Sequence, residues 1–138
     1  RLDFNNLVAL PNEIGYLKNL THLVLCKNKL NEIPEDIGKL SNLVVLNLQV
    51  RLYGYILLIN ASDGEIFLGE LFDQLPDSLG NLTNLKALNI AQNSFTKLPN
   101  CVFKLNELLQ LSAKRNMLAD LPAQVENLVN LKGLSLSG

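Results

Sequence analysis

The chain has 138 residues, 48% of them hydrophobic, with 12 basic and 13 acidic side chains and a net charge of −1. That length suits one domain, 1–138, and that composition supplies a buried core, which excludes a disordered chain. The balanced charge argues against a nucleic-acid partner, and no apolar run approaches the roughly 18 residues of a membrane span.

The first residues, Arg1-Leu2-Asp3-Phe4-Asn5, lack the basic start and apolar stretch of a signal peptide and are expected to begin inside a strand. From there a repeat sets the pace. Asn5 is followed 23 residues later by Asn28, and Pro11 by Pro34 at the same step. The clearest copy runs Leu20, Leu23, Leu25, Asn28, Leu30, Ile33, Pro34, Ile37, Leu40. The next opens with Leu43, Leu46 and Leu48 and then loses phase. Its proline is due at position 57, where Leu57 stands, and Pro76 follows Pro34 only after 42 residues, one repeat plus 19. Phe72, Leu75 and Pro76 recover the frame. It continues through Leu85, Leu88, Ile90, Asn93, Phe95, Leu98, Pro99, Val102 and Leu105, then Leu108, Leu111, Ala113, Asn116, Leu118, Leu121, Pro122, Val125 and Leu128. Leu131, Leu134 and Leu136 start a sixth copy, after five, and Gly38, with Gly15 and Gly80, recurs at one structural position.

Each frame position has a physical reason. Leu-x-Leu has period 2, so both side chains take one face of a short strand and their neighbours take the other. The asparagine stands where the chain leaves the strand, and its amide can both donate to and accept from backbone groups that a turn leaves unpaired. Asn5, Asn28, Asn93 and Asn116 are therefore expected to form a structural ladder. Proline stops the strand, and apolar residues three apart after it suit a 3-10 or helical turn packed inward. One such unit cannot bury its own apolar side, so neighbours must stack.

The 19 extra residues fall within 50–69 and displace the third ladder asparagine, leaving Arg51 or Glu70 in its slot. Leu52–Ile59 and Glu65–Leu68 read as strand-like halves around the turn-forming Ala61-Ser62-Asp63-Gly64, which predicts a β-hairpin or loop. A docking arm or dimer contact, a plug over the solenoid, and a segment foreign to the fold all stay open.

This pattern resembles the 23-residue leucine-rich repeat with L-P-x-x-I-x-x-L on its convex side, and within it the Ras-group intracellular scaffolds. The resemblance covers all but the 50–69 stretch. It implies an α/β solenoid with a concave parallel β-sheet and convex short helical or 3-10 turns, interrupted by one insertion. It further implies a cytoplasmic protein-interaction module of a scaffold or signalling protein, with a small GTPase or signalling phosphatase as partner. The alternatives are a recognition segment of an immune or cell-surface receptor, and the substrate-binding arm of an enzyme whose catalytic domain lies outside the chain.

The partner surface is then the concave face, formed by the residues flanking each Leu-x-Leu pair: His22, Val24, Cys26; Val45, Asn47, Gln49; Ala87, Asn89, Ala91; Gln110, Ser112, Lys114; and Gly133, Ser135, Ser137. The stripe is small, polar and nearly uncharged, without the aromatic and arginine anchors that dominate most interfaces. His22 and Cys26 share that face, but about 13 Å of strand separates them, beyond the reach of a nucleophile and its base. No catalytic, cofactor or metal site is expected. Cys26 and Cys101 read as two free thiols, since their spacing suits neither a zinc site nor a disulfide framework. Three Asn-x-Ser/Thr sequons, at Asn19, Asn60 and Asn81, read mainly as frame leucines flanked by common polar residues. With no polar cap in sight at either end, end-to-end self-association is expected.

Overall fold

The computed structural model describes residues 1–50 and 71–137. The expected hairpin of the insertion therefore lies, apart from Val50, outside the described residues, as do the alternative ladder positions Arg51 and Glu70.

Short strands alternate with 3-10 turns along the whole described chain. The strands are β1 (His22–Val24), β2 (Val45–Asn47), β3 (Ala87–Asn89), β4 (Gln110–Ser112) and β5 (Gly133–Ser135). The turns are η1 (Asn12–Tyr16), η2 (Glu35–Lys39), η3 (Asp77–Asn81), η4 (Asn100–Lys104) and η5 (Ala123–Asn127). All strands are parallel, in the order β1-β2-β3-β4-β5, and the register places Leu23, Leu46, Leu88, Leu111 and Leu134 in one row. Coil one forms no regular strand at its start. Its pairing survives without one, because the N–H groups of Leu2 and Phe4 donate to the carbonyls of Val24 and Cys26, each at 3.0 Å.

The prolines set the turns in a uniform way. Pro11, Pro34, Pro76, Pro99 and Pro122 precede the five turns with φ between −71° and −60°, the range the pyrrolidine ring enforces. Each proline carbonyl then accepts the N–H three residues on, as in Ile37 to Pro34 at 3.0 Å, and the turn closes after five residues. The apolar residue three beyond each proline points inward: Ile14, Ile37, Leu79 and Val102 are buried, and Val125 packs against the core from the C-terminal coil.

Stacking makes the core. In the leucine row Leu23, Leu46, Leu88 and Leu111 are 0–3% exposed, while Leu134, which has a described coil on one side only, is 38% exposed. The same side chain in the same frame is buried only where both neighbours are present, the behaviour of a one-dimensional array. Each leucine so covered contributes about 1.5–3 kcal/mol of apolar burial.

Two asparagine columns tie coil to coil. In the first, Oδ1 accepts a backbone N–H of the preceding coil: Leu7 to Asn28 at 3.1 Å, Phe72 to Asn93 at 3.1 Å, and Phe95 to Asn116 at 3.2 Å. Their Nδ2 groups donate to Leu2 O and Leu25 O from Asn28, to Leu48 O and Ile90 O from Asn93, and to Ile90 O and Ala113 O from Asn116. Asn5 donates only within its own coil, to Leu2 O and Asp3 O. The second column stands on the entry side of the strands. There Asn42 donates to Lys18 O, Asn84 to Ser41 O and Asn130 to Asn106 O, each at 2.8 Å.

The convex turns pack closely enough that Gly38 has no room for a side chain. A Cβ there would stand 2.3 Å from the carbonyl oxygen of Ser78 in η3. The two turns are further joined by Ser78, whose hydroxyl donates to Glu35 O at 2.6 Å and whose N–H donates to Glu35 Oε2 at 3.3 Å. The 42-residue step from Pro34 to Pro76 thus ends with η2 and η3 stacked like any other pair.

Candidate functional site: the open face of the sheet

Alternation along each strand separates core from surface. Leu23, Leu25, Leu46, Leu48, Leu88, Ile90, Leu111 and Ala113 are buried, and the residues between them line the open face. His22 and Gln110 are exposed there, as is Lys114 just past β4, whereas Val24, Cys26, Val45, Asn47, Gln49, Asn89 and Ser112 are half-buried by their neighbours across the sheet. These ten of the fifteen residues expected on the concave face are thus brought onto one surface, while Ala91, also expected there, is buried. A shallow depression crosses its middle, bordered by Asn47, Asn89, Gln110, Ser112 and Ser135.

The polar groups on this face are linked to one another. Asn89 Nδ2 donates to Gln49 Oε1 at 3.0 Å, and Gln49 Nε2 donates to Gln92 Oε1 at 2.8 Å. The Gln92 amide lies between Gln49 and Arg115, with its other end 3.0 Å from Arg115 Nη1. Asn47 and Asn89 also fold back on the backbone, accepting the N–H of Gln49 at 3.1 Å and of Ala91 at 3.0 Å. These side chains are held before any partner arrives, so less conformational entropy is lost on docking.

Gln92 and Arg115 were not legible as part of this face. They stand one residue before the ladder asparagines, where a strand reading breaks down. In the structure that position is left-handed: Phe4, Lys27, Gln92 and Arg115 have φ of 59°, 54°, 57° and 54°. The αL turn swings each side chain to the strand-exit rim, where Lys27 Nζ lies 3.7 Å from the centroid of the Phe4 ring. Four non-glycine residues with positive φ at one repeat position form a readable column only once the turn geometry is known. Arg115 supplies the arginine that the strand stripe lacks.

His22 Nδ1 lies 3.0 Å from Thr21 Oγ1, a local contact at the sheet edge. Cys26 is half-buried on the open face, while Cys101 is buried at 1% exposure among the convex turns, so the two cysteines occupy different sides of the fold. Burial pushes the Cys101 thiol up to about 11, with the Asp77 carboxylate adding to the shift. A thiol so protonated is a poor nucleophile at neutral pH.

A family model for the leucine-rich repeat matches residues 1–50. A solved leucine-rich-repeat protein from Leptospira interrogans superposes with a TM-score of 0.82 at 32% identity, covering 99% of this chain and 30% of that one. This chain is a leucine-rich-repeat protein. Among curated relatives, the solenoid is 30% identical over 126 residues to the probable inactive serine/threonine-protein kinase roco10 of Dictyostelium discoideum, covering 83% of this chain and 5% of that protein. It is also 30% identical over 150 aligned positions to the TMV resistance protein N of Nicotiana glutinosa, covering 97% of this chain and 13% of the relative. The solenoid thus spans a small part of each relative it matches. Leucine-rich-repeat solenoids are in general binding modules for other proteins, using the extended surface that stacking creates. No helix among the described residues is long and apolar enough to cross a membrane.

Proposed function

We propose that this chain is a protein-interaction module that docks its partner across the open sheet face between β1 and β5, within an intracellular scaffold or signalling protein. The observation that carries the reading is the linked run of side chains Asn89–Gln49–Gln92, with Arg115 beside it, on a surface no described element covers. Support for the setting is the resemblance of the repeats to Ras-group scaffolds; a cytoplasmic location and a small-GTPase-related partner belong to the same reading. A second reading takes the chain as the recognition arm of a larger receptor or enzyme. The match to small fractions of a resistance protein and of a kinase-like protein favours it.

Site-specific photocrosslinking tests the docking face under either reading. A crosslinker at Ser112, in the middle of the face, is expected to trap a discrete partner from cells, and one at Glu126 on the convex η5 is not. Trapping from Glu126 alone would move the site to the other side of the fold.

A further inference from the structure

The strand segments of the open face are one-signed in charge. The strand segments 20–27, 43–50, 85–92, 108–115 and 131–137 contain no aspartate or glutamate, and all 13 acidic residues of the chain lie elsewhere. The same segments hold His22, Lys27, Lys86, Lys114, Arg115 and Lys132. Five carboxylates stand on the convex turns, Glu13 in η1, Glu35 and Asp36 in η2, Asp77 in η3 and Glu126 in η5, while Glu107 stands on the strand-entry rim in the coil between those of Lys86 and Lys132. Asp3, beside coil one, is held by Arg1 at 3.3 Å. The strand segments are therefore cationic within a chain whose net charge is −1.

The cations of the C-terminal half are exposed and placed by the backbone. Lys86 and Lys132 enter β3 and β5, their N–H groups bonded to Val44 O at 2.9 Å and Leu109 O at 2.8 Å. Lys114 and Arg115 leave β4 on the opposite rim. Among the described residues, no carboxylate lies within ion-pair distance of these four. Between the two rims the floor is neutral and amide-rich, with Asn89, Gln110 and Ser112. Strand spacing sets Lys86 and Lys132 about 10 Å apart, roughly three residues of an extended peptide.

We propose that the face takes an acidic partner: an extended Asp- or Glu-rich segment of another protein, laid across β3 to β5 with its carboxylates on Lys86, Lys132, Lys114 and Arg115. This rests on the docking face proposed above and adds the chemistry of its occupant. Such pairs steer association and select against basic partners. A nucleic acid is the poorer fit, since the five strand segments contain no phenylalanine, tyrosine or tryptophan on which bases could stack.

The test is fluorescence anisotropy with a labelled glutamate-rich peptide of about ten residues, long enough to cross the three strands. Wild type is compared with the double variant Lys114→Glu/Arg115→Glu and with Lys97→Glu, an exposed lysine outside the strand segments; circular dichroism confirms that each is folded. The double reversal is expected to weaken binding by about tenfold or more, the Lys97 reversal by less than about twofold, and added salt to weaken the wild type steeply. Equal affinity of wild type and double variant, or tighter binding of a lysine-rich peptide, overturns the acidic occupant. So does an oligothymidine that binds more tightly than the peptide and is lost in the same variant. Any of these three results with Ser112 crosslinking intact leaves the docking face standing. Loss of Ser112 crosslinking with the peptide effects preserved would instead confine the failure to the cellular partner and support the charge selectivity.

Discussion

Asn93 is the most deeply buried of the ladder asparagines: it is 3% exposed, accepts from Phe72 N–H and donates to the carbonyls of Leu48, Ile90 and Ala91. Replacing it with alanine strands several buried backbone groups at once. Asn93→Ala is expected to cost about 2–4 kcal/mol in urea unfolding, against less than about 0.5 for Asn5→Ala, whose two bonds are exposed and local. The first ladder was legible because an amide standing where the chain leaves a strand can both donate and accept in the turn. The second was equally periodic, as Asn19, Asn42, Asn84 and Asn130, but each lies before a frame leucine and reads as an ordinary polar flank. The register of that column puts Glu107 where an asparagine is due. A carboxylate cannot donate, so Glu107→Asn, reaching for Thr83 O as Asn130 reaches for Asn106 O, is expected to stabilise the fold by about 0.5–1.5 kcal/mol. Cys101 gives a pH signature. Its folded value is raised from 9.0 to about 11, so between those values the unfolded chain holds fewer protons and stability falls as pH rises. Below pH 9 the thiol is neutral in both states and adds no pH dependence. The thermal midpoint of wild type should therefore drop more between pH 9 and 11 than that of Cys101→Ala, and the two curves should run parallel below pH 9.

At the scale of elements, the convex turns separate a glycine that is required from one that is merely convenient. A Cβ at Gly38 meets the backbone of Ser78 at 2.3 Å, whereas one at Gly80 meets the flexible Lys104 side chain at 2.8 Å. Gly38→Ala must push η2 and η3 apart and is expected to cost about 2–3 kcal/mol; Gly80→Ala should cost less than about 1. Equal losses at the two sites, by chemical denaturation, would show that the turns are free to slide. The turns themselves were readable from Pro-x-x-apolar spacing, because proline forces one φ and the third residue after it must face inward. The left-handed residues at the strand exits were not. Phe4, Lys27, Gln92 and Arg115 have side chains that ordinarily avoid positive φ, and the N–H groups of Phe4, Gln92 and Arg115 there bond carbonyls of the next coil.

At the scale of the molecule, the 19 extra residues interrupt the sequence without shifting the stack: β2 pairs β3 in the same row as every other pair, and Leu48 N–H reaches Asn89 O at 2.8 Å. Deleting residues 50–68 restores the 23-residue step between Pro34 and Pro76 and puts Glu70 in the ladder slot three residues beyond Leu48. The deletion variant is expected to unfold cooperatively within about 1 kcal/mol of wild type, and adding Glu70→Asn should raise its midpoint. A loss of several kcal/mol would mean that the segment packs on the solenoid and belongs to its core. The exposed Leu134, in a row of otherwise buried leucines, argues for the same nearest-neighbour logic at the ends. End-to-end association of the isolated chain remains our proposal, read out as a concentration-dependent mass in sedimentation.

The sequence by itself determined the repeat length, the strand and turn alternation, the alternation of core and surface along each strand, and three of the four expected members of the first asparagine ladder; the parallel stacking it gave only through its resemblance to known repeats. All but the stacking follow from periodicity, which is a one-dimensional property and survives in the order of residues. Only the tertiary structure decided that Gln92 and Arg115 join that face, that a second asparagine column binds the strand entries, and that η2 and η3 stack across the interruption. Each of those depends on atoms some 20–45 residues apart meeting within hydrogen-bond range, a fact of three-dimensional packing that no local pattern encodes.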